Sequence, residues 1–316
     1  MGSLCRVRVP HPYSTRAPTL DDAAAIAAVL LADDLLDTGA SDYDEDFVRD
    51  QWSTRGFDPG RDAWVVLGSD DTVVAAGNVM PAGEARLKSW GVVHPEHRRL
   101  GIGSALLERI EARAAERLDG VPGATFHHSI NDVDEAARAM VLARGFTFAR
   151  SFRHMQIDLD GTRDPGEPPE GIEIRGIDPE ADLPRAHAVF LETFRDEWGY
   201  RVIPFEEWRA LEVEIPGFDP GLWLLATDGA EPVGALNAIV WGDRGWIGEL
   251  GVRRPWRGRG IGSALLRRSF AVFAERGLPR VMLNVDFDNP TGAMALYEKV
   301  GMRVVRGFDV YEKPIG

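Results

Sequence analysis

The decapeptide Arg257–Leu266, RGRGIGSALL, gathers residue types suited to holding an anion. Glycines at 258, 260 and 262 let backbone N–H groups approach a phosphate with no Cβ in the way, and they tolerate positive φ. Arg257 and Arg259 supply guanidinium forks that match phosphate oxygens. A helix starting here would add unpartnered N–H donors at Gly260, Ile261, Gly262 and Ser263, with roughly half a positive charge. The chemistry is capture of a diphosphate. A nucleotide P-loop is excluded, because no Gly-Lys-Ser/Thr ends the run. The dinucleotide fingerprint is excluded too, since Ser263 stands where its third glycine would fall.

Such a loop needs a strand before it and a helix after it. The apolar run Trp246–Val252 provides the first, and a helical pattern ending near Gly277 provides the second. The chain contains this arrangement twice. RRLGIGSALL, Arg98–Leu107, repeats it with the seven residues GIGSALL identical, the glycines that open this run falling at 101 and 260. GFDPG recurs at 56–60 and 217–221, and Trp64 matches Trp223. The offsets stay near 160 residues, so two whole domains follow one another in the same order. The stretch DLDGTRDPGEPPEG, Asp158–Gly171, is rich in proline, glycine and acid and reads as the connection. The expected division is residues 1–157, a linker 158–170, and residues 171–316.

Within each half the same elements are expected. Asp21–Leu36 and Asp182–Trp198 carry helical apolar stripes. Ala63–Leu67 with Val73–Val79, and Leu222–Ala226 with Val233–Val240, read as strand pairs around polar turns. Val281–Val285 reads as a strand, and Pro290–Val300 as a helix stopped by Gly301. The fold class is mixed α/β.

Composition narrows the partners. A net charge of −14 disfavours nucleic acid, whose phosphates would be repelled. No apolar run approaches the roughly 20 residues of a membrane span, and no signal-peptide core precedes Thr19. Cys5 is the single cysteine, so no intrachain disulfide forms. These features point to a cytoplasmic protein, with no membrane partner. His127-His128 lacks a supporting ligand pattern, and no metal is expected.

Reduced to Arg257, Gly260 and Gly262, the loop reads Arg-x-x-Gly-x-Gly and resembles the coenzyme A loop of the GNAT superfamily of N-acetyltransferases. A second stretch, LNVDFDNPTGAMALYEKVGM, is similar to that superfamily's later signature through Asn289, Ala293, Leu296, Tyr297 and Gly301. The resemblance implies two tandem GNAT-like domains with a mixed α+β sheet and acetyl-CoA as co-substrate. It implies two strands splayed near Gly251, with backbone N–H groups around Leu250, Gly251 and Val252 available to polarise the thioester carbonyl. It also implies Tyr297 as the acid that protonates the leaving thiolate, and Asn289 beside the coenzyme. Asn289 has a compatible local role, capping the helix that begins at Pro290. The resemblance extends to tandem members of the mycothiol synthase kind, which act on a sugar-linked cysteine.

A primary amine arrives protonated, so a base must receive its proton. Strand alternation puts Glu249 and Gly251 on one face, opposite Leu250 and Val252. Glu249 is therefore either a base on the acceptor side or an exposed carboxylate. The acceptor wall is expected from Phe190–Ile215, where Trp198, Tyr200, Phe205 and Trp208 interleave with acidic residues. Amphipathic packing explains the same pattern.

The first half keeps Val93, Arg98, Arg99, Gly101, Gly103 and Ser104 as a weaker version of the coenzyme loop. Val141 falls at the position of Tyr297, and Trp90 at that of Glu249. This half is expected to bind coenzyme without chemistry or to serve as a scaffold. The expected function is acetyl transfer from acetyl-CoA to a small-molecule or peptide amine in the second half. The alternatives are acetylation of a sugar-linked cysteine and a non-catalytic acyl-CoA sensor.

Overall fold

The computed structural model describes residues 9–39, 41, 43–83, 85–214, 217–288 and 292–315; Cys5, Asn289 and Pro290 lie outside the described residues. The chain begins β1 (Ser14–Arg16), α1 (Ala23–Thr38), α2 (Glu45–Trp52), α3 (Pro59–Asp62), β2 (Ala63–Leu67), β3 (Val73–Pro81) and β4 (Arg86–Val93). It continues α4 (Ile102–Leu118), β5 (Thr125–Asn131), α5 (Glu135–Ala143) and β6 (Thr147–Asp158). The series then repeats as β7 (Ile172–Gly176), α6 (Pro179–Phe194), α7 (Phe205–Glu212), β8 (Leu224–Asp228), β9 (Glu231–Trp241) and β10 (Arg244–Val252). It closes with α8 (Ile261–Glu275), β11 (Arg280–Asp286), α9 (Ala293–Lys299) and β12 (Arg303–Pro314). A single 3-10 turn, Pro220–Leu222, replaces α3 in the second series.

Local chemistry sets several boundaries. Helix α6 begins at Pro179 because the Asp178 carboxylate accepts the N–H groups of Glu180 and Ala181. It ends at Phe194, short of the expected Trp198. Beyond α9, Gly301 adopts φ +95° and its N–H donates to the Glu298 carbonyl at 2.9 Å.

Contacts divide the chain into two compact units, residues 1–152 with 306–316, and residues 153–305. This differs from the division expected from the repeat. Residues 153–157 pack with the second unit and residues 306–316 with the first. The ladder explains the second difference, since Phe308–Pro314 of β12 run antiparallel to Asn131–Thr125 of β5. A sequence repeat sets what each strand is. It does not say which edge the strand joins, because any exposed edge offers the same unpaired N–H and C=O groups.

In the first unit the strand order is β1-β2-β3-β4-β5-β12, with β4 and β5 parallel. Side chains alternate across the sheet. Val65 and Leu67 meet Ile26, Val29 and Leu30 of α1, whereas Val66 meets Ile102, Leu106 and Ile110 of α4. Burying each such side chain stabilises the fold by roughly 1.5–3 kcal/mol.

In the second unit the order is β6-β11-β10-β9-β8-β7, with β10 and β11 parallel. Helix α8 sits very close to this sheet. A β-carbon on Gly245 would come within 2.8 Å of the Phe273 ring, and one on Gly234 within 3.2 Å of Leu265. This close seating holds the N-terminus of α8 beside the C-terminal end of β10.

Candidate active site

Strand β10 carries an irregularity that the site depends on. Its antiparallel ladder with β9 shifts register between Ile247 and Glu249, leaving Gly248 as the extra residue of a β-bulge. Before the bulge, Gly245 faces α8; after it, Val252 faces α8 at Gly262, while Gly251 faces Thr193 of α6. The bulge therefore turns Glu249 and Gly251 together toward the α6 side. An unbroken alternation would have sent them into the core against α8. On the other edge, β10 pairs with β11 only from Gly245 to Ile247. Both strands run on, to Val252 and Asp286, without pairing further.

The space between the parted strands is a cavity of about 350 Å³. Thr193, Phe194 and Glu197 line it from α6 and just beyond, and Ala293, Leu296, Tyr297 and Lys299 line it from α9. Gly248, Leu250, Gly251 and Val252 form its β10 wall. Arg257, Gly258, Gly260, Ile261, Gly262 and Ser263 border it as the glycine loop and first turn of α8. Gly258 and Gly260 take φ +77° and +85°, a conformation that only glycine adopts at little cost. The first bond of the helix runs from Ala264 N–H to the Gly260 carbonyl at 3.0 Å, so the donors before it point outward at the cavity end.

The two loop arginines part company. Arg257 borders the cavity, and its Nε donates to the Val252 carbonyl at 2.9 Å. Arg259 does not line it; its Nη1 reaches Asp228 at 3.3 Å, beside the Trp256 indole N–H on the same carboxylate at 3.0 Å. Of the two arginines expected to assist at the diphosphate, Arg257 borders the cavity and Arg259 does not. Asn289 lies outside the described residues.

Tyr297 presents its half-buried ring to the cavity. Desolvation, and then the nearby charge of Glu197, raise its hydroxyl above the ordinary phenol range. The hydroxyl therefore keeps its proton at neutral pH. Glu249 does not line the cavity but stands on the neighbouring α6 face, half-buried. Burial, reinforced by the charge of Glu212, pushes its carboxyl up to about 8, against a hydrogen bond from Asn237 that favours the ionised form. Tyr200 belongs to the same cluster, its hydroxyl raised to about 12 by burial and then by Glu249 and Glu212.

The expected acceptor wall divides into two roles. Trp208 is core, packed against His187, Phe190 and Trp223. Several of its acids hold arginines: Glu192 pairs with Arg253 and Asp196 with Arg254. Glu197 lines the cavity, and Tyr200 and Glu212 lie near enough to Glu249 to feel its charge or act on it. Thr193, Phe194, Trp256, Asn284 and Lys299 line the cavity without having been singled out in the sequence. Only Lys299 carried a signal there, as one of three lysines and two residues beyond Tyr297.

The first unit shows what the second has added. Its β3–β4 ladder runs from Ala75 to Pro81 with no register shift, so Trp90 sits directly opposite Asn78. The Trp90 indole donates to Gln51 at 2.8 Å. Arg98, the counterpart of Arg257, is held by Asp33 at 2.6 Å and Asp37 at 2.9 Å. Arg99 takes φ +63° where the second loop has Gly258. Gly101 keeps the left-handed conformation, and Gly103 packs near Val93 and Met140, to which the Ser104 hydroxyl also turns. Val141 is fully buried in the core. His127 and His128 are buried on β5, with His128 Nδ1 2.7 Å from the Ser89 hydroxyl, and burial lowers both to about 4.

The model of the Acetyltransferase (GNAT) family matches residues 29–146 and again residues 184–302. A mycothiol acetyltransferase of Clavibacter sepedonicus is 31% identical over 268 residues, covering 79% of this chain and 80% of that protein. One from Geodermatophilus obscurus is 35% identical over 225 residues, 66% and 68% of the two chains. The crystal structure of a GCN5-related N-acetyltransferase from Sphaerobacter thermophilus matches with a TM-score of 0.84 at 33% identity, covering 97% of each chain. A tandem GNAT protein from the clavulanic acid biosynthesis pathway shares the fold, at a TM-score of 0.68 and 18% identity. With its family model matched in both halves, the chain belongs to the GNAT acetyltransferase family as a tandem member.

Proposed function

We propose that the second unit carries the transfer of an acetyl group from acetyl-CoA to an amine. The observation that supports this reading is the slot itself. It joins a glycine loop and helix N-terminus, an unpaired strand edge and Tyr297 in one cavity. The loop N–H groups with Arg257 would hold the diphosphate. The N–H groups of Leu250 and Val252, turned away from β9, would hold the pantetheine arm and polarise the thioester carbonyl, an effect worth roughly 3 kcal/mol when a donor is well placed.

In the transfer step the amine nitrogen attacks the acetyl carbon and the carbon–sulfur bond breaks. The Tyr297 hydroxyl gives its proton to the departing thiolate. Glu249 takes one proton from the incoming ammonium, directly or through water, and the second proton that the nitrogen sheds as the amide forms returns to the Tyr297 phenolate, so the products are amide, thiol and a protonated Glu249. The first unit, with Arg98 neutralised and Val141 and Trp90 in place of the acid and base, serves this reading as a scaffold.

The acceptor class follows from the carboxylates on the α6 face and from the relatives. Glu197, Glu212 and Glu249 suit a cationic amine. Relatives named mycothiol acetyltransferase support a cysteine amine linked to a sugar. The test is loss of thioester absorbance from acetyl-CoA with a panel of polyamines, aminoglycosides, peptide N-termini and cysteinyl-glucosamine. Thioester loss is followed because the last acceptor carries its own thiol. Turnover with none of them, alongside tight acetyl-CoA binding, would favour a sensor instead.

A further inference from the structure

Asn237 on β9 holds both ends of Glu249. Its Oδ1 accepts the backbone N–H of Glu249 at 2.5 Å, and its Nδ2 donates to the Glu249 carboxylate Oε2 at 3.0 Å. The two bonds share one amide, so its orientation is set: the oxygen faces an N–H, which leaves only the donor for the carboxylate. The same Oδ1 lies where a side chain at Gly248 would be, 2.6 Å from the position of a β-carbon. The register shift, the glycine and the asparagine thus form one local device.

The first unit supplies an internal control. Asn78 occupies the matching place, opposite Trp90, but no bulge forms there. Its Nδ2 donates to Gln51 at 2.8 Å, and its buried Oδ1 has no partner. An asparagine on this strand is therefore insufficient to make the bulge. What distinguishes the second unit is the extra residue Gly248, with a carboxylate after it.

We propose that Asn237 is a positioning residue for transfer, bridging the bulge and aiming the Glu249 carboxylate at the acceptor. This rests on the assignment of Glu249 as the base. Asn237 is absent from the cavity lining, so its influence on coenzyme is indirect. Its N–H donor stabilises the ionised carboxylate, opposing burial and Glu212. Among the described residues, the titratable groups bearing on Glu249 are Glu212 of α7 and Tyr200 of the α6–α7 connection, whereas α6 offers Thr193 to this face.

The experiment uses the full chain, with Glu carboxyls labelled with ¹³C and the Glu249 signal assigned by its loss in Glu249→Gln. Asn237→Ala should raise the titration midpoint of Glu249 by roughly one pH unit. It should lower kcat with cysteinyl-glucosamine about tenfold at pH 7, with the acetyl-CoA KM unchanged. Asn237→Asp, which keeps the acceptor for the Glu249 N–H and so protects the bulge if the alanine variant does not fold, should raise the midpoint further. Asn78→Ala should leave midpoint and rate as in the wild type. An unchanged Glu249 midpoint in Asn237→Ala or Asn237→Asp would overturn the proposal. So would a wild-type kcat in a variant whose midpoint has moved, provided Glu249→Gln is inactive. An active Glu249→Gln would instead overturn the base assignment, a result distinct from either.

Discussion

Thr193, in the last turn of α6, fills the space that a β-carbon on Gly251 would need, its hydroxyl anchored to the Val189 carbonyl at 2.8 Å. The contact brings a helix directly over the unpaired stretch of β10. Gly251→Ala should push the two elements apart or fold the methyl into the slot. Overpacking of this kind costs roughly 1–3 kcal/mol. The expected result is a folded protein whose acetyl-CoA affinity falls at least about tenfold by calorimetry. Thr193→Ala in the same chain should restore much of it, because the colliding hydroxyl is gone.

Tyr297→Phe tests the proton donor. The ring keeps its packing, so the melting temperature should stay close to that of the wild type. Losing the acid should lower kcat roughly 10²-fold, with the acetyl-CoA KM little changed. Stopped-flow turnover equal to the wild type would transfer the role to another group or to water.

The arginines of the two loops should behave oppositely. Arg257→Ala removes a guanidinium at the cavity edge and should weaken acetyl-CoA binding about tenfold, or about 1.4 kcal/mol. Arg98→Ala should leave affinity alone, because Asp33 and Asp37 already occupy that cation. It should instead destabilise the fold by roughly 1–3 kcal/mol, since two neighbouring carboxylates lose their counter-charge. Calorimetry and thermal melts on both variants separate the two effects.

Glu249 also makes a prediction about stability against pH. Burial pushes its carboxyl up to about 8 in the fold, against an ordinary carboxyl value near 4.5 in the unfolded chain. Between those values the native state binds the proton more tightly, so its contribution is full below pH 4.5 and declines as pH rises through 8. Glu249→Gln removes this dependence. Its melting temperature should gain on the wild type as pH increases from 5 to 9, and a constant difference would contradict the raised value.

Much of this molecule was legible in its residues. Spacing alone located Gly258, Gly260 and Gly262, because an anion loop must use glycine where φ is positive, and the observed angles at 258 and 260 agree. The repeat of GIGSALL implied two like units, and a short apolar run ending in a polar turn placed β2 from Ala63 to Leu67 as it stands. Other features depend on where distant segments meet. Arg257 and Arg259 read alike in sequence, and only the position of Asp228, contributed by β8, turns Arg259 away. Nothing in the run from Arg303 to Pro314 told which sheet β12 would join, because its pattern suits any edge. The face of Glu249 is a further case. Alternation correctly grouped it with Gly251, but which helix that pair faces is decided by the single extra residue Gly248 and the amide of Asn237. A one-residue bulge is silent in a hydrophobic pattern, since its signal is a hydrogen bond between strands and not a property of either strand alone.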